Sequence, residues 1–196
     1  VKAMPITAPG TTFEDVVFSE NITAIEALAA RGIINGKSEG IFDPDASMTR
    51  AEFATIITRG LGLTAKETGA FTDVASSSWY AGFVGTANAY GIVNGVGDNK
   101  FNPGGTITRQ EAATMVARAA KLCGMDTAMT AAETRDMLAQ FGDYVTVADW
   151  AQDSLAFCYR EDILDQSDLN IQPSKAILRG EIAQMLFNML TKANLI

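Results

Sequence analysis

The pattern of hydrophobic positions along the 196-residue chain repeats one type of helix three times. Each copy begins at an Arg-x-Glu sequence and keeps apolar residues at positions i, i+3, i+4 and i+8, which form one buried helical face. The three stripes are Phe53, Ile56, Ile57 and Leu61; Ala112, Met115, Val116 and Ala120; and Ile182, Met185, Leu186 and Leu190. Stripes of matched phase predict three equivalent helices around a shared core.

A second helical pattern precedes each of these helices. It covers residues 21–31, 78–90 and about 147–159, so the sequence predicts six main helices and an all-α fold. Each pair of helices opens with an aromatic-x-Asp sequence and passes through a loop and a Phe/Ile-x-Pro step before the Arg-x-Glu closer. The openers are Phe13-Glu14-Asp15, Phe71-Thr72-Asp73 and Phe141-Gly142-Asp143.

Local signals mark where several helices begin. Thr49 and Thr108 are natural N-caps with a glutamate at the third helical position, which is a capping box. Leu178 has no side-chain oxygen, and we expect its cap to be weaker by about 1 kcal/mol. Residues 124–140 read as an insertion, in which Thr130 starts another capping box and residues 134–140 form a short extra helix.

The repeats divide the chain into units. We expect a flexible lead-in at 1–12, unit 1 at 13–63, unit 2 at 71–123, the insertion at 124–140 and unit 3 at 141–196. Units this short rarely bury enough apolar surface alone, so the copies should pack on one another. The function is then expected where two units meet.

Composition excludes several classes of function. A net charge of −8 argues against nucleic-acid binding, which needs a basic surface. The absence of histidine removes histidine acid–base catalysis and the commonest zinc ligand. Cys123 and Cys158 lack CxxC spacing, so we expect no metal and no cofactor; a disulfide between them or two buried thiols both remain open. The acidic stretches from Asp43 and Asp98 lack the glycine and final glutamate of a calcium-binding EF-hand.

No apolar run is long enough to span a bilayer, and we expect no membrane insertion. The chain begins Val-Lys-Ala-Met-Pro without the apolar core of a signal peptide. This beginning is the one expected of a mature or excised fragment.

Two loops are nearly identical and rich in glycine. Residues 32–36 and 91–95 read Gly-Ile-Ile-Asn-Gly and Gly-Ile-Val-Asn-Gly. Gly36 and Gly95 can simply allow the backbone to turn, or their amides can be left open to the oxygen atoms of a ligand. The corresponding loop at 162–167 has no glycine, so a binding role would be impaired there.

Arginine recurs in the first turn of all three closer helices, at Arg50, Arg109 and Arg179. A cation there opposes the helix dipole, so its recurrence needs a reason. One reason is a salt bridge to an opener aspartate or to the following glutamate. The other is a bidentate contact to an anionic ligand beside open helix-end amides. Trp79 and Trp150 could stack on sugars or fill the core, and unit 1 has Asn21 near this position.

In these openers, Gly-Ile-x-Asn-Gly turns, Phe-x-Pro steps and Thr-Arg-x-Glu closers, the chain from Phe13 to Ile196 resembles an S-layer homology domain of three tandem modules. The resemblance implies a pseudo-trimeric helical bundle with grooves between neighbouring modules. It also implies that the grooves bind secondary cell-wall polysaccharide, often through a pyruvate ketal on an N-acetylhexosamine.

The resemblance assigns roles to eight residues. The closer arginines Arg50, Arg109 and Arg179 are expected to contact the pyruvate carboxylate. The opener aspartates and the tryptophans are expected to shape the groove: Asp15, Asp73, Asp143, Trp79 and Trp150. Gly36 and Gly95 join them as binding candidates because of their loop amides. Because unit 1 lacks the tryptophan and unit 3 lacks the glycines and the threonine cap, we expect only one or two competent grooves.

Three functions are compared. The first is a non-catalytic, extracellular anchor at the cell wall or S-layer, which binds an anionic cell-wall polysaccharide as part of a larger secreted surface protein. The second is an envelope assembly module that binds peptidoglycan or neighbouring subunits. The third, a glycan-cleaving enzyme, is disfavoured because the recurring acids lie at caps and openers. The acidic surface should slow encounter with an anionic polymer, so binding should depend moderately on salt.

Overall fold

The computed structural model describes residues 1–196 and is all-helical, as the hydrophobic pattern predicts. Seven α-helices carry the fold: α1 Ile22–Ala30, α2 Arg50–Gly60, α3 Ala81–Ala89, α4 Arg109–Leu122, α5 Ala131–Leu138, α6 Gln152–Arg160 and α7 Arg179–Lys192. Three short 3-10 turns precede helices at Glu14–Val16, Tyr144–Thr146 and Asp149–Ala151. There is no β-strand, and isolated β-bridges join the loops.

The first helices of units 2 and 3 begin later than the sequence pattern predicts. Helix α3 begins at Ala81 rather than 78, and α6 begins at Gln152 rather than 147. Residues before α3 form turns, in which the rings of Trp79 and Tyr80 meet edge to face at 5.4 Å. Apolar residues in these turns extend the helical pattern without extending the helix.

Capping follows the sequence in most places. Thr108 and Thr130 each form a complete capping box, and α5 therefore begins at Ala131, earlier than predicted. Thr49 accepts from the Glu52 amide, while the Glu52 carboxylate contacts Arg179. The Leu178 side chain cannot accept a hydrogen bond, but Glu181 Oε1 still accepts from the Leu178 amide at 3.3 Å. Helix α7 thus keeps half of a capping box.

The core is shared among the units. All residues of the three apolar stripes are buried in one cluster of 46 hydrophobic side chains. The second helix of each unit packs on the first helix of another: α2 on α3, α4 on α6, and α7 on α1. The last contact returns to unit 1, so the packing runs in a closed cycle.

The N-terminal residues and the insertion are held by specific contacts. The Lys2 amide donates to the Leu61 carbonyl, and the Thr7 amide donates to that of Ala30. The lead-in at 1–12 therefore contacts unit 1, and its flexibility stays a prediction. Helix α5 packs on α6, where Thr134 Oγ1 donates to Asp153 at 2.8 Å. Cys123 and Cys158 are both free thiols, and Cys158 is fully buried.

Candidate ligand-binding grooves

Each closer arginine forms an ion pair with a closer glutamate of a different unit. Arg50 Nη1 lies 2.6 Å from Glu111 Oε2, Arg109 contacts Glu181, and Arg179 Nη1 lies 3.2 Å from Glu52 Oε2. The three pairs run from unit 1 to 2, from 2 to 3 and from 3 back to 1. We call this set the closer ion pairs.

The closer arginines are also hydrogen-bonded to the backbone of the unit that they reach. The Nε atoms of Arg50, Arg109 and Arg179 donate to the carbonyls of Phe101, Ile171 and Phe42 at 2.8–2.9 Å. Arg50 and Arg179 donate further from Nη2, to the Asn94 and Asn35 carbonyls. All three arginines are at most 8% exposed, so most of their donors are used inside the protein.

The ion pairs bear on a question that the sequence left open, namely why arginine recurs in the first turn of these helices. A salt bridge is present, but its partner is neither an opener aspartate nor the glutamate of the same closer. The helix-end amides are also not open, contrary to expectation. The amides of Arg50, Arg109 and Arg179 donate to the carbonyls of Gly105, Lys175 and Ala46 at 2.8–2.9 Å. Loops of neighbouring units therefore occupy the helix N-termini.

The opener aspartates bind the backbone of their own units. Asp73 accepts from the Phe101 and Asn102 amides, each at 2.8 Å. The equivalent pairs of donors are Phe42 and Asp43 to Asp15, and Ile171 and Gln172 to Asp143. The second donor has a positive φ in every unit, at Asp43, Asn102 and Gln172. The aspartates thus fix the Phe/Ile-x-Pro loops and shape a groove only indirectly.

The amide hydrogen bonds change the pKa of two of these aspartates, Asp15 and Asp73. Partial burial raises the pKa of Asp73, but the two amide hydrogen bonds outweigh it and hold that pKa below its ordinary value. The pKa of Asp15 is lowered in the same way, by the amides of Phe42 and Asp43 against burial. Both carboxylates are ionised at neutral pH.

An open cleft of about 470 Å³ lies where the three units meet around unit 1, and we call it groove 1. Unit 2 contributes Trp79 and unit 3 contributes Arg179. Unit 1 supplies most of the wall: Ile34, Asn35, Gly36, Lys37, Met48, Glu52, Thr55, Ile56 and Arg59. The structure therefore brings three of the expected residues, Gly36, Trp79 and Arg179, into one cleft.

Trp79 is an exposed wall of groove 1 and not a core residue. It is 62% exposed, and Trp150 is 58% exposed in the 3-10 turn that packs on α4. We call the corresponding surface of unit 2 groove 2; it has Arg50, Gly95, Glu111, Arg118 and Trp150 at the equivalent positions. Exposed indole faces are the surfaces on which sugar rings stack.

Gly36 and Gly95 are required by close packing. A Cβ atom on Gly36 would lie 2.6 Å from the Ile41 carbonyl oxygen and 2.7 Å from the Phe13 ring. Gly95 is crowded in the same way by Lys100 and Phe71. No group of the protein accepts a hydrogen bond from the Gly36 amide, so both interpretations of this glycine are compatible with the structure.

Two arginines were missed by the interpretation of the sequence. Arg59 lines groove 1, and Arg118 holds the same position in unit 2. Both follow their closer arginine at the same spacing on the second helix, whereas unit 3 has Asn188 there. The repeated spacing is visible in the sequence, but an arginine at the exposed end of an amphipathic helix is ordinary, and only the folded chain places Arg59 in groove 1.

Another cleft differs from groove 1 in charge, and we call it groove 3. It has a similar volume of about 470 Å³ and contains Asn188 where groove 1 has Arg59. Glu20 and Asn21 occupy the edge where the other units have tryptophan. One arginine and five carboxylates line groove 3, namely Arg109 with Glu20, Asp162, Asp165, Asp168 and Glu181. Groove 1 instead has three cations and one carboxylate.

None of the helices has both the length and the apolar character needed to cross a membrane. No group of three or more cysteine, aspartate or glutamate side chains is arranged to hold a metal ion.

Comparison with known proteins identifies a family model that matches two segments of the chain. Residues 12–54 and 70–113 match the model of the S-layer homology domain. Residues 141–196 lie outside both matched segments.

The chain is also similar to curated bacterial proteins. It is 30% identical over 93% of its length to the exoglucanase XynX of Acetivibrio thermocellus. It is 39% identical over 61% of its length to a surface layer protein of Brevibacillus choshinensis, and 29% identical over 93% to the S-layer protein sap of Bacillus anthracis. The chain spans only 16%, 11% and 22% of these relatives. The matches indicate a surface-anchoring segment located at the cell surface.

Proposed function

We propose that this chain, whose segments 12–54 and 70–113 match the S-layer homology domain, anchors a larger surface protein by binding secondary cell-wall polysaccharide. The proposed ligand is an anionic polysaccharide that carries a pyruvate ketal on an N-acetylhexosamine. Binding takes place in the grooves between units, and the chain performs no catalysis.

We further propose that residues 141–196 form a third module of the same kind. Asp143 makes the same two amide contacts as Asp15 and Asp73. Arg179 and Glu181 take part in the same type of ion pair as the closers of units 1 and 2. These shared contacts support a pseudo-trimeric arrangement.

The observation that carries the proposal is the composition of groove 1. The protein is acidic overall, with a net charge of −8, yet this groove concentrates Lys37, Arg59 and Arg179 around a single glutamate. The exposed indole of Trp79 forms one wall of the groove. The Gly36 amide, which donates no hydrogen bond within the protein, lies on another wall. Cations beside an aromatic face suit a sugar that bears a carboxylate.

The ten residues expected from the sequence divide by position. Arg179, Gly36 and Trp79 line groove 1, and we propose that they form the walls of the binding site there. Arg50, Gly95 and Trp150 hold the equivalent places in groove 2. Arg109 lies in groove 3. The opener aspartates hold the Phe/Ile-x-Pro loops in place by accepting hydrogen bonds from backbone amides; they are Asp15, Asp73 and Asp143.

The proposal is tested by sedimenting the protein with purified wall sacculi. Retention should disappear when the polysaccharide is extracted, and it should fall strongly when mild acid removes the ketal. Equal retention on bare peptidoglycan would contradict the proposal and favour the envelope assembly function instead. Release of sugar from the sacculi would contradict the non-catalytic assignment.

A further inference from the structure

Arg59 is a partly buried cation without a counterion in the protein. Its guanidinium makes no ion pair and no hydrogen bond with any group of the chain. Burial lowers the pKa of this guanidinium. The closer arginines, by contrast, are all paired with glutamates. A half-buried charge that is left unpaired carries a desolvation cost, which a ligand carboxylate in the groove would offset.

The position of Arg59 is fixed by packing. Its guanidinium carbon lies 4.9 Å from the centre of the Phe83 ring, in a cation–π contact with unit 2. Phe83 lies on helix α3, one turn after Trp79. The contact holds the planar donor group in the same groove as the exposed indole, while the donors in its plane stay free.

Arg118 is the equivalent cation of groove 2, and it also lacks a carboxylate partner. It donates to the Ile92 carbonyl at 3.4 Å, and in the favoured orientation of the Asn94 amide it donates to that oxygen at 3.2 Å. Groove 2 has Val96 where groove 1 has Lys37. Groove 1 therefore has two unpaired cations, Lys37 and Arg59, and groove 2 has one, Arg118. Groove 3 has none, because Ser167 and Asn188 stand at these positions.

Resting on the proposed function, we infer that Arg59 and Arg118 contact the carboxylate of the wall polysaccharide, and that the closer arginines serve as links between units. The grooves are consequently unequal. Groove 1 binds the anionic sugar most tightly, groove 2 binds it more weakly, and groove 3 repels it through its five carboxylates. Arg59 and Arg118 are thus specificity-determining residues.

The test compares variants of the full chain in their binding to purified wall sacculi that retain the ketal. Arg59→Gln should weaken binding by roughly tenfold or more, because it removes a charge-assisted contact in a partly dry site. Arg118→Gln should weaken binding less, and the double variant should lose it. Arg59→Lys should recover part of the affinity, since it restores the charge without the planar fork.

Arg31→Gln is the matched control. It removes the same charge from a residue outside the grooves, whose guanidinium donates to the Ala27 carbonyl. Its binding and its salt dependence should match those of the wild type, whereas Arg59→Gln should flatten the salt dependence. All four single variants should melt at nearly the wild-type temperature, since none of these arginines forms an ion pair between units.

The outcomes separate this inference from the proposed function. Retention of the wild type together with undiminished retention of the Arg59→Gln, Arg118→Gln double variant would overturn the inference and leave the anchoring function intact. Failure of the wild type to bind ketal-bearing sacculi would overturn both. Equal losses for Arg31→Gln and Arg59→Gln would also overturn the inference, because net charge alone would then explain the effect.

Discussion

The closer arginines are the residues in which the structure most changes the interpretation. Their side chains are buried, and each reaches a glutamate in another unit at a separation of 61, 72 or 127 residues along the chain. Local sequence spacing cannot reveal a partner at such distances. The arginine itself was predictable as important, but its partner depended on how the units assemble.

We predict that Arg50→Ala destabilises the fold by about 2–4 kcal/mol. The substitution leaves Glu111 without its cation and the Phe101 and Asn94 carbonyls without their donor. Breaking a fully buried pair costs about 3–5 kcal/mol, and the glutamate here is only partly buried. Urea unfolding measures the effect.

The control for that measurement is Arg135→Ala. Arg135 pairs with Asp136 at 3.9 Å, and both side chains are mostly exposed, so its loss should cost at most about 0.5 kcal/mol. If Arg50→Ala were as mild as this control and also reduced binding to the wall, the closer arginines would be ligand contacts after all.

Asp15 and Asp73 give the protein a specific sensitivity to acid. Because the folded pKa of Asp73 lies below its ordinary value, its stabilisation is complete above the unfolded pKa of about 3.9 and is lost as the pH falls through the folded pKa. The melting temperature should therefore drop below about pH 4. Asp73→Asn should lower the melting temperature at pH 7 and make it less dependent on pH below 4. If the melting temperature of this variant fell with acid as steeply as that of the wild type, Asp73 would not be the source of the acid sensitivity.

At the scale of helices and loops, most elements follow from local chemistry. The apolar stripes, the threonine caps and the all-α class are visible in the sequence because each depends on residues within a turn or two. The starts of α3 and α6 were placed too early, because apolar turn residues imitate a helical face. The inequality of the grooves stays a prediction, made from the missing glycines and tryptophan, and that prediction did not include the arginines at 59 and 118.

The cyclic packing of helices predicts that the units are not independent. Without unit 3, helix α1 loses its contact with α7, and α4 loses its contact with α6. A chain ending at residue 123 should therefore unfold with low cooperativity and bind the dye ANS through its exposed apolar faces. Calorimetry of the short and full chains gives the comparison. A sharp transition at the wild-type temperature would mean that two units suffice.

At the scale of the whole molecule, an acidic protein is proposed to bind an acidic polymer. Repulsion between the net charge of −8 and the polymer is screened beyond about 8–10 Å at physiological salt. The contact of a guanidinium with a carboxylate acts at hydrogen-bond distance, where groove 1 presents cations and groove 3 presents carboxylates. The distribution of charge among the grooves therefore matters more than its sum.

A calorimetric titration of the full chain with a soluble, ketal-bearing fragment of the wall polysaccharide measures the roles of Arg59 and Arg118 together. We expect two sites of unequal affinity, of which the tighter is lost in Arg59→Gln and the weaker in Arg118→Gln. Three equal sites, or equal binding of a fragment from which the ketal has been removed, would contradict this expectation.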